Sequence, residues 1–308
     1  MKIGVIAWLL SVALLGAYAG DGCSLDSRTN TVEGCVIEKL HIFSPSMGRA
    51  IKAVAVLPPE YRTHPEKKYP VLYALHGSDA PYGVYSDMAP LRQALVTKPM
   101  IVVSFDADRG SFYIDSPILQ TDYLRPSDAL TNSVTPVKSL FTTFFFNECI
   151  PAIDQCYRVN SHQRMLTGFS MGGFGALHYM LTKPAQFISV SSLSGFFPSS
   201  DDPELKNIVN RVLGSPPESS ERWRQLDLYF RIRPLQRPAG WKLPSVYLHC
   251  GTEDSLLEQN RTMRRFLKEQ DVACEYLETA GKHDWTFWKN ASAGVIDFHW
   301  RTLKKETK

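Results

Sequence analysis

A chain of 308 residues, 44% hydrophobic and 21% charged, carries ample apolar material for a large globular core. Its formal net charge of +3 is too small to argue for nucleic acid or an anionic membrane surface as partner. No internal repeat or low-complexity tract breaks it, which excludes solenoids and linker arrays.

The first residues read as a targeting segment. Lys2 supplies a positive start, Ile3 to Leu15 is an apolar run, and Ala17-Tyr18-Ala19 fits a small-residue cleavage site before Gly20. The run is too short for a membrane span. A cleaved signal peptide over residues 1–19 is expected, leaving 20–308 as one domain in a secreted or periplasmic protein. Six cysteines in an exported chain permit up to three disulfides. Cys149 and Cys156 lie about 10 Å apart along one expected helix, too far to bridge unless it breaks. Cys250 ends one expected strand and Cys274 begins the next, at opposite ends of a parallel sheet. Cys23 with Cys35 is the expected pair, closing a short N-terminal loop. No C-x-x-C pair points to zinc or redox chemistry.

Cys35 to Phe43 and Ile51 to Leu57 are expected to be an antiparallel strand pair joined by Ser44-Pro-Ser-Met-Gly-Arg49. Tyr69 to Leu75 is a continuous apolar run, as for a parallel strand buried on both faces, and ends in His76-Gly77-Ser78. Met88 to Val96 reads as a helix, Met100 to Phe105 as a strand, and Ser111 to Val137 as a long turn-rich segment of the kind that carries function. Ser139 to Asp154 reads as a phenylalanine-rich helix. Strands are expected at Phe187 to Leu193, Ser245 to Cys250 and Ala273 to Glu278, and helices at Leu256 to Gln270 and Ala293 to Leu303. Such alternation gives an α/β fold with one mostly parallel sheet covered on both faces. The irregular excursion from Phe196 to Leu243 reads as a lid on that domain.

The chemistry centres on Gly168-Phe169-Ser170-Met171-Gly172, a G-x-S-x-G pattern between a buried strand and the helix of Ala176 to Leu181. A serine on so sharp a turn takes a strained backbone, tolerated where glycines flank it at two residues on either side. The turn lifts the hydroxyl above the sheet and leaves the Met171 amide at a helix N-terminus, where negative charge is favoured. Such a serine needs a base and an orienting acid. Of eight histidines, only His283 follows both the serine and a strand-end acid while lying on a loop past a strand. Glu253 and Asp254 both follow the strand ending at Cys250, and their position alone does not separate them. The second oxyanion amide is expected at Ser78, beside a glycine that lets backbone approach substrate. This mechanism calls for no metal and no cofactor.

These stretches, together with Ser111-Phe-Tyr-Ile-Asp-Ser116 and Gly281-Lys-His-Asp-Trp285, resemble the esterase D-like group of α/β-hydrolases. That group includes small carboxylesterases, feruloyl and acetyl-xylan esterases, S-formylglutathione hydrolases and antigen 85-type mycolyltransferases. The resemblance implies an α/β-hydrolase fold and a serine carboxylesterase acting on short-acyl, acetyl or feruloyl esters of small molecules or polysaccharide. It assigns Asp254 as the acid, His283 as the base, and the Met171 and Ser78 amides as the oxyanion hole. Tyr113, Phe196, Phe197, Trp223, Tyr229, Phe230, Trp241 and Trp285 are aromatic candidates for a substrate pocket. Most are expected to pack the lid, with Tyr113 and Trp285 carried forward as substrate contacts. An acyltransferase using the same acyl-enzyme, and a non-catalytic carbohydrate-binding protein on the same fold, are the competing readings.

Overall fold

The computed structural model describes residues 22–120, 137–199, 202–214, 222–233 and 243–306. The expected leader at residues 1–19 and Trp241 lie outside the described residues, as does most of the tract from Leu119 to Val137. A nine-stranded sheet runs in the order β1-β2-β3-β5-β4-β6-β7-β8-β9. Strands β1 (Cys23–Asn30), β2 (Val36–Ser44) and β3 (Arg49–Leu57) are antiparallel, and β3 joins β5 (Ile101–Phe105) antiparallel. From there β4 (Tyr69–Leu75), β6 (Val159–Phe169), β7 (Ser189–Leu193), β8 (Ser245–Gly251) and β9 (Cys274–Thr279) are parallel neighbours. This is the architecture expected of an α/β-hydrolase.

The strands at the centre explain themselves. Every residue of β4, β5 and β7 is buried, because helices cover both faces of the sheet. Pro70 sits where the β4–β6 register shifts, between Tyr69 and Val71, as a residue without an amide to donate must. On one face helices α1 (Ala89–Thr97) and α7 (Trp285–Glu306) pack Leu91, Leu95, Ile296 and Phe298 against the sheet. On the other face the elbow helix α3 (Met171–Thr182) meets a phenylalanine cluster. There Phe145 stacks on Tyr179 at 4.2 Å between ring centroids, and Phe105 lies edge-on to Phe144 at 5.3 Å. The expected helix from Ser139 is a short turn at Phe141–Thr143, a π-helical segment Phe144–Cys149, then α2 (Ile150–Cys156). Pro151 lacks the amide that a regular helix would need there. In the excursion after Phe196, α4 (Pro203–Leu213) and α5 (Leu228–Ile232) are the described helices, each capped by an aspartate. Helix α6 (Leu257–Glu269) lies between β8 and β9. Among the described residues no helix is long and apolar enough to cross a membrane.

Two expectations at the N-terminal edge need correction. Strand β1 is an additional edge strand, and the disulfide joins Cys23 to Cys156, not to Cys35. Pairing of Cys23 with Ile42 and of Asn30 with Val36 lays β1 along β2, so Cys23 and Cys35 sit at opposite ends of the ribbon, about 23 Å apart. That pairing instead brings the start of β1 to the end of α2, with the Cys23 and Cys156 Cα atoms 6.4 Å apart. Cys35 is buried with its thiol against the Arg92 carbonyl. Cys250 and Cys274 stand at opposite ends of the β8–β9 pair, in register with Glu278 and Val246 respectively.

The order of the strands locates a crevice. From β4 the chain turns one way to β5, then crosses to β6 on the other side of β4 and continues outward. The loops leaving β4 and β6 therefore diverge above the sheet, the place where open α/β sheets hold their ligands. Those loops carry Ser78 and Ser170.

Candidate active site

Ser170 follows β6 with φ 54° and ψ −122°, a backbone that L-residues rarely adopt. The glycines around it are sterically required. A Cβ on Gly168 would lie 2.0 Å from the Gly172 carbonyl oxygen, and one on Gly172 would lie 2.0 Å from the Leu75 carbonyl oxygen. The elbow is thus wedged against the end of β4. The turn is held by the Ser170 amide donating to the Leu193 carbonyl at 3.0 Å and by the Gly173 amide donating to the Ser170 carbonyl at 2.9 Å.

His283 lies on the loop between β9 and α7, with Nε2 at 3.0 Å from Ser170 Oγ. Its Nδ1 is 3.0 and 3.1 Å from the two oxygens of Asp254. An ionised carboxylate only accepts, so Nδ1 carries the ring proton and Nε2 is left to accept from the Ser170 hydroxyl. Burial acts to raise the Asp254 carboxyl, but hydrogen bonds led by that from His283, with the Leu256 amide at 2.7 Å, outweigh it and hold it below its ordinary value. The acid and histidine loops are built on each other. A Cβ on Gly251 would meet the Gly281 carbonyl at 2.3 Å, and the Glu253 amide donates to that same carbonyl at 2.9 Å. Glu253 itself is exposed, opposite Lys282. Asp284 accepts from the Phe287 amide at 2.9 Å and so caps α7.

Of the expected oxyanion donors, Met171 opens α3 and Ser78 lies in the loop after β4 that walls the cleft. Neither amide has an acceptor among the described residues. The cleft over Ser170 has a volume of about 560 Å³, and its lining includes Gly77, Ser78, Phe169, Trp285 and Trp288 together with Asp79 and Asp87. Trp285, the other aromatic residue carried forward, is 37% exposed and lines that cleft. Tyr113 is corrected: it is fully buried behind the cleft, its hydroxyl donating to the His76 carbonyl at 2.9 Å and its ring against Gly175. Phe196 and Phe197 are buried, and Trp223 and Tyr229 pack on the core.

Trp288 is a cleft residue that pattern reading does not reach. It stacks on Phe169 at 4.5 Å and stands edge-on to His283 at 5.0 Å. The signal available was its three-residue spacing from Trp285, one helical turn along α7. Three other buried histidines pack in the core: His178 contacts Thr142 and Arg231, His249 contacts Tyr247 and Thr279, and His299 lies between Ser189 and Ser191. No group of three or more histidine, cysteine or acidic side chains among the described residues is arranged to hold a metal ion.

The chain is similar to known esterases. The chain is 23% identical to an acetyl esterase of Caldicellulosiruptor saccharolyticus over 85% of its length and 97% of that protein. It is 28% identical to an esterase of Mycobacterium tuberculosis over 251 residues, and spans about half the length of that protein, 51%. A ferulic acid esterase structure superposes with a TM-score of 0.68 at 23% identity, covering 87% of this chain and 98% of that one. The Esterase family model matches residues 44–294, a span holding the elbow, the acid loop and the histidine loop. The chain belongs to the Esterase family of α/β-hydrolases, and is a carboxylic ester hydrolase.

Proposed function

We propose that the protein is an exported serine carboxylesterase that works through an acyl-enzyme. The observation that carries the reading is the continuous contact from Ser170 Oγ to His283 Nε2 and from His283 Nδ1 to Asp254. Ser170 attacks the ester carbonyl and passes its proton to His283. Asp254 keeps the ring in the tautomer that can accept and stabilises the imidazolium. The Met171 and Ser78 amides receive the negative oxygen of the tetrahedral intermediate. His283 then gives the proton to the departing alcohol. In the second half it takes a proton from water, whose oxygen attacks the acyl carbon, and the proton returns to Ser170 as the carboxylic acid leaves.

The cleft supports esters with a planar or aromatic part. Its volume of about 560 Å³ exceeds what an acetyl group fills, and Phe169, Trp285 and Trp288 offer ring faces. Acetyl and hydroxycinnamoyl esters of polysaccharide or small alcohols are the proposed substrate class, in keeping with the acetyl esterase and ferulic acid esterase relatives. Export is supported by the leader-like sequence of residues 1–19 and by a disulfide between Cys23 and Cys156, a bond that persists in oxidising compartments. The test is hydrolysis of acetyl, longer alkanoyl and feruloyl esters by the wild type and by Ser170→Ala, with a fluorophosphonate label mapped by mass spectrometry. Turnover by the wild type, none by the variant, and label on Ser170 support the reading. Wild-type rates in Ser170→Ala would overturn it.

A further inference from the structure

We infer that His76 fixes the direction of the Ser78 N–H and is therefore a positioning residue for oxyanion stabilisation. The inference rests on the proposed roles of Ser170 and Ser78. His76 is buried beneath the cleft, at the end of β4. Its Nε2 lies 3.0 Å from the Ala107 amide nitrogen, which can only donate. A ring nitrogen that accepts an amide hydrogen bears no proton of its own, so the neutral imidazole carries its proton on Nδ1. That Nδ1–H faces the Gly77 carbonyl at 2.7 Å.

The consequence follows from peptide geometry. The Gly77 carbonyl and the Ser78 N–H belong to one planar trans unit and point in opposite directions. A donor that holds the carbonyl on one side aims the N–H to the other. The Ala80 amide also donates to the Gly77 carbonyl, at 3.1 Å, and closes the turn. This peptide sits against the nucleophile: a Cβ on Gly77 would lie 3.4 Å from the Ser170 Cβ and 2.8 Å from the Phe169 ring. The ring is in turn held from behind. Tyr113 donates to the His76 carbonyl and stands edge-on to the imidazole at 5.9 Å. The loop bearing Ala107 is anchored by the Arg49–Asp108 ion pair at 2.6 Å, which gives the Ser44-to-Arg49 turn a connection to the site. Desolvation lowers the His76 ring to about 4, so it stays neutral where an esterase would be assayed.

An oxyanion donor acts only once charge develops on the substrate oxygen, so its misdirection lowers kcat and leaves KM nearly unchanged. The variants His76→Asn, His76→Gln and His76→Phe separate positioning from packing. The Asn amide can stand in for Nδ1–H toward Gly77, whereas Gln reaches toward Ala107 and Phe does neither. We expect His76→Gln and His76→Phe to lose about 30- to 300-fold in kcat with KM within about twofold, and His76→Asn to recover at least about tenfold of that loss. Affinity for a trifluoromethyl ketone analogue should fall in parallel with kcat/KM. Equal loss in all three variants, or a loss confined to KM, overturns the inference. Long-range ¹⁵N–¹H spectra of the wild type supply a test that needs no variant: His76 should show a protonated Nδ1 and a bare Nε2 at pH 7, and the opposite tautomer overturns the inference. Ser170→Ala is assayed alongside. If it retains turnover, the reading of the site has failed; if it is inactive and the His76 results go the wrong way, only the role of His76 has.

Discussion

The Cβ that an alanine at position 172 would carry falls 2.0 Å from the carbonyl oxygen of Leu75, so the elbow helix and the end of strand β4 touch backbone to backbone. Neither side can yield at small cost, because both are main chain in the buried centre of the sheet. This contact sets the spacing between Ser170 and the Gly77-Ser78 peptide. Gly172→Ala should therefore lower stability by roughly 2–4 kcal/mol and reduce kcat by about 100-fold or more even where the protein still folds. Gly48 is the matched control: its φ is +68° but nothing lies within 4 Å of its would-be Cβ. Gly48→Ala should cost about 1 kcal/mol and leave kcat unchanged. Denaturant melts and ester assays on the two variants check both halves. An active, fully stable Gly172→Ala enzyme would contradict the elbow geometry.

The neighbouring acids Glu253 and Asp254 should differ sharply. Only Asp254 touches His283, and Glu253 points into solvent. Asp254→Asn leaves the packing nearly unchanged but offers the ring an amide that can impose the wrong tautomer. A fall of about 10⁴-fold in kcat is expected. Glu253→Gln should stay within about twofold. Steady-state kinetics on the pair decide the assignment, and comparable losses at both positions would refute it.

Acid lability should begin well above the carboxylate range. Burial lowers His76 and His249 from 6.5 to about 4 and His299 to about 3. In the unfolded chain these rings titrate near 6.5, so between that value and about 4 the unfolded state binds more protons than the folded one. Stability then falls as pH drops, with a slope approaching about three protons, and these rings contribute nothing above pH 7. Asp254, held below its ordinary value, adds a further loss at lower pH as it takes up its proton. Urea melts at pH 7, 6 and 5 at constant ionic strength measure the effect. Identical stabilities at pH 7 and 5 would rule it out.

The Cys23–Cys156 bond spans 133 residues, and closing so large a loop restricts the unfolded chain strongly. The double variant Cys23→Ser/Cys156→Ser should lose about 2–5 kcal/mol, and reduction of the wild type should match it. Cys35→Ser should leave the bond intact. Non-reducing peptide mapping and thermal melts report on both; a Cys23–Cys35 peptide would be incompatible with the fold described.

What the sequence made legible follows from what leaves a periodic trace. Strands β4, β5 and β8 are mainly apolar runs and β7 alternates small serines with Val190 and Leu193, because all four are buried on both faces, and each was readable to within two residues. Strand β1 was not, since most of its residues are exposed and an edge strand of that kind shows no alternation. The disulfide was missed for the same reason, because Cys23 reaches Cys156 only through a strand with no signature. Ser170, His283 and the choice between Glu253 and Asp254 were legible from chain order, strand ends and family likeness, and the fold brings all three expected partners into contact. Tyr113 misled because an aromatic residue in a turn-rich segment looks like a pocket wall, yet its hydroxyl turns inward to His76. His76 was passed over because it precedes the serine; chain order picks out a base but says nothing about what supports a backbone amide.

The same covalent bond divides the machinery by origin. Residues 23 to 156 form a closed ring that includes β1 to β5 and the Gly77-Ser78 peptide, whereas Ser170, Asp254 and His283 all lie on the open stretch beyond it. Pulled by its two ends in an optical trap, the oxidised protein would release only the open stretch. About 470 Å of contour length would stay hidden inside the ring until a reductant was added. Mechanical load would thus strip away Ser170, Met171, Asp254 and His283 first, and leave the Gly77-Ser78 peptide in a loop that force alone cannot draw out.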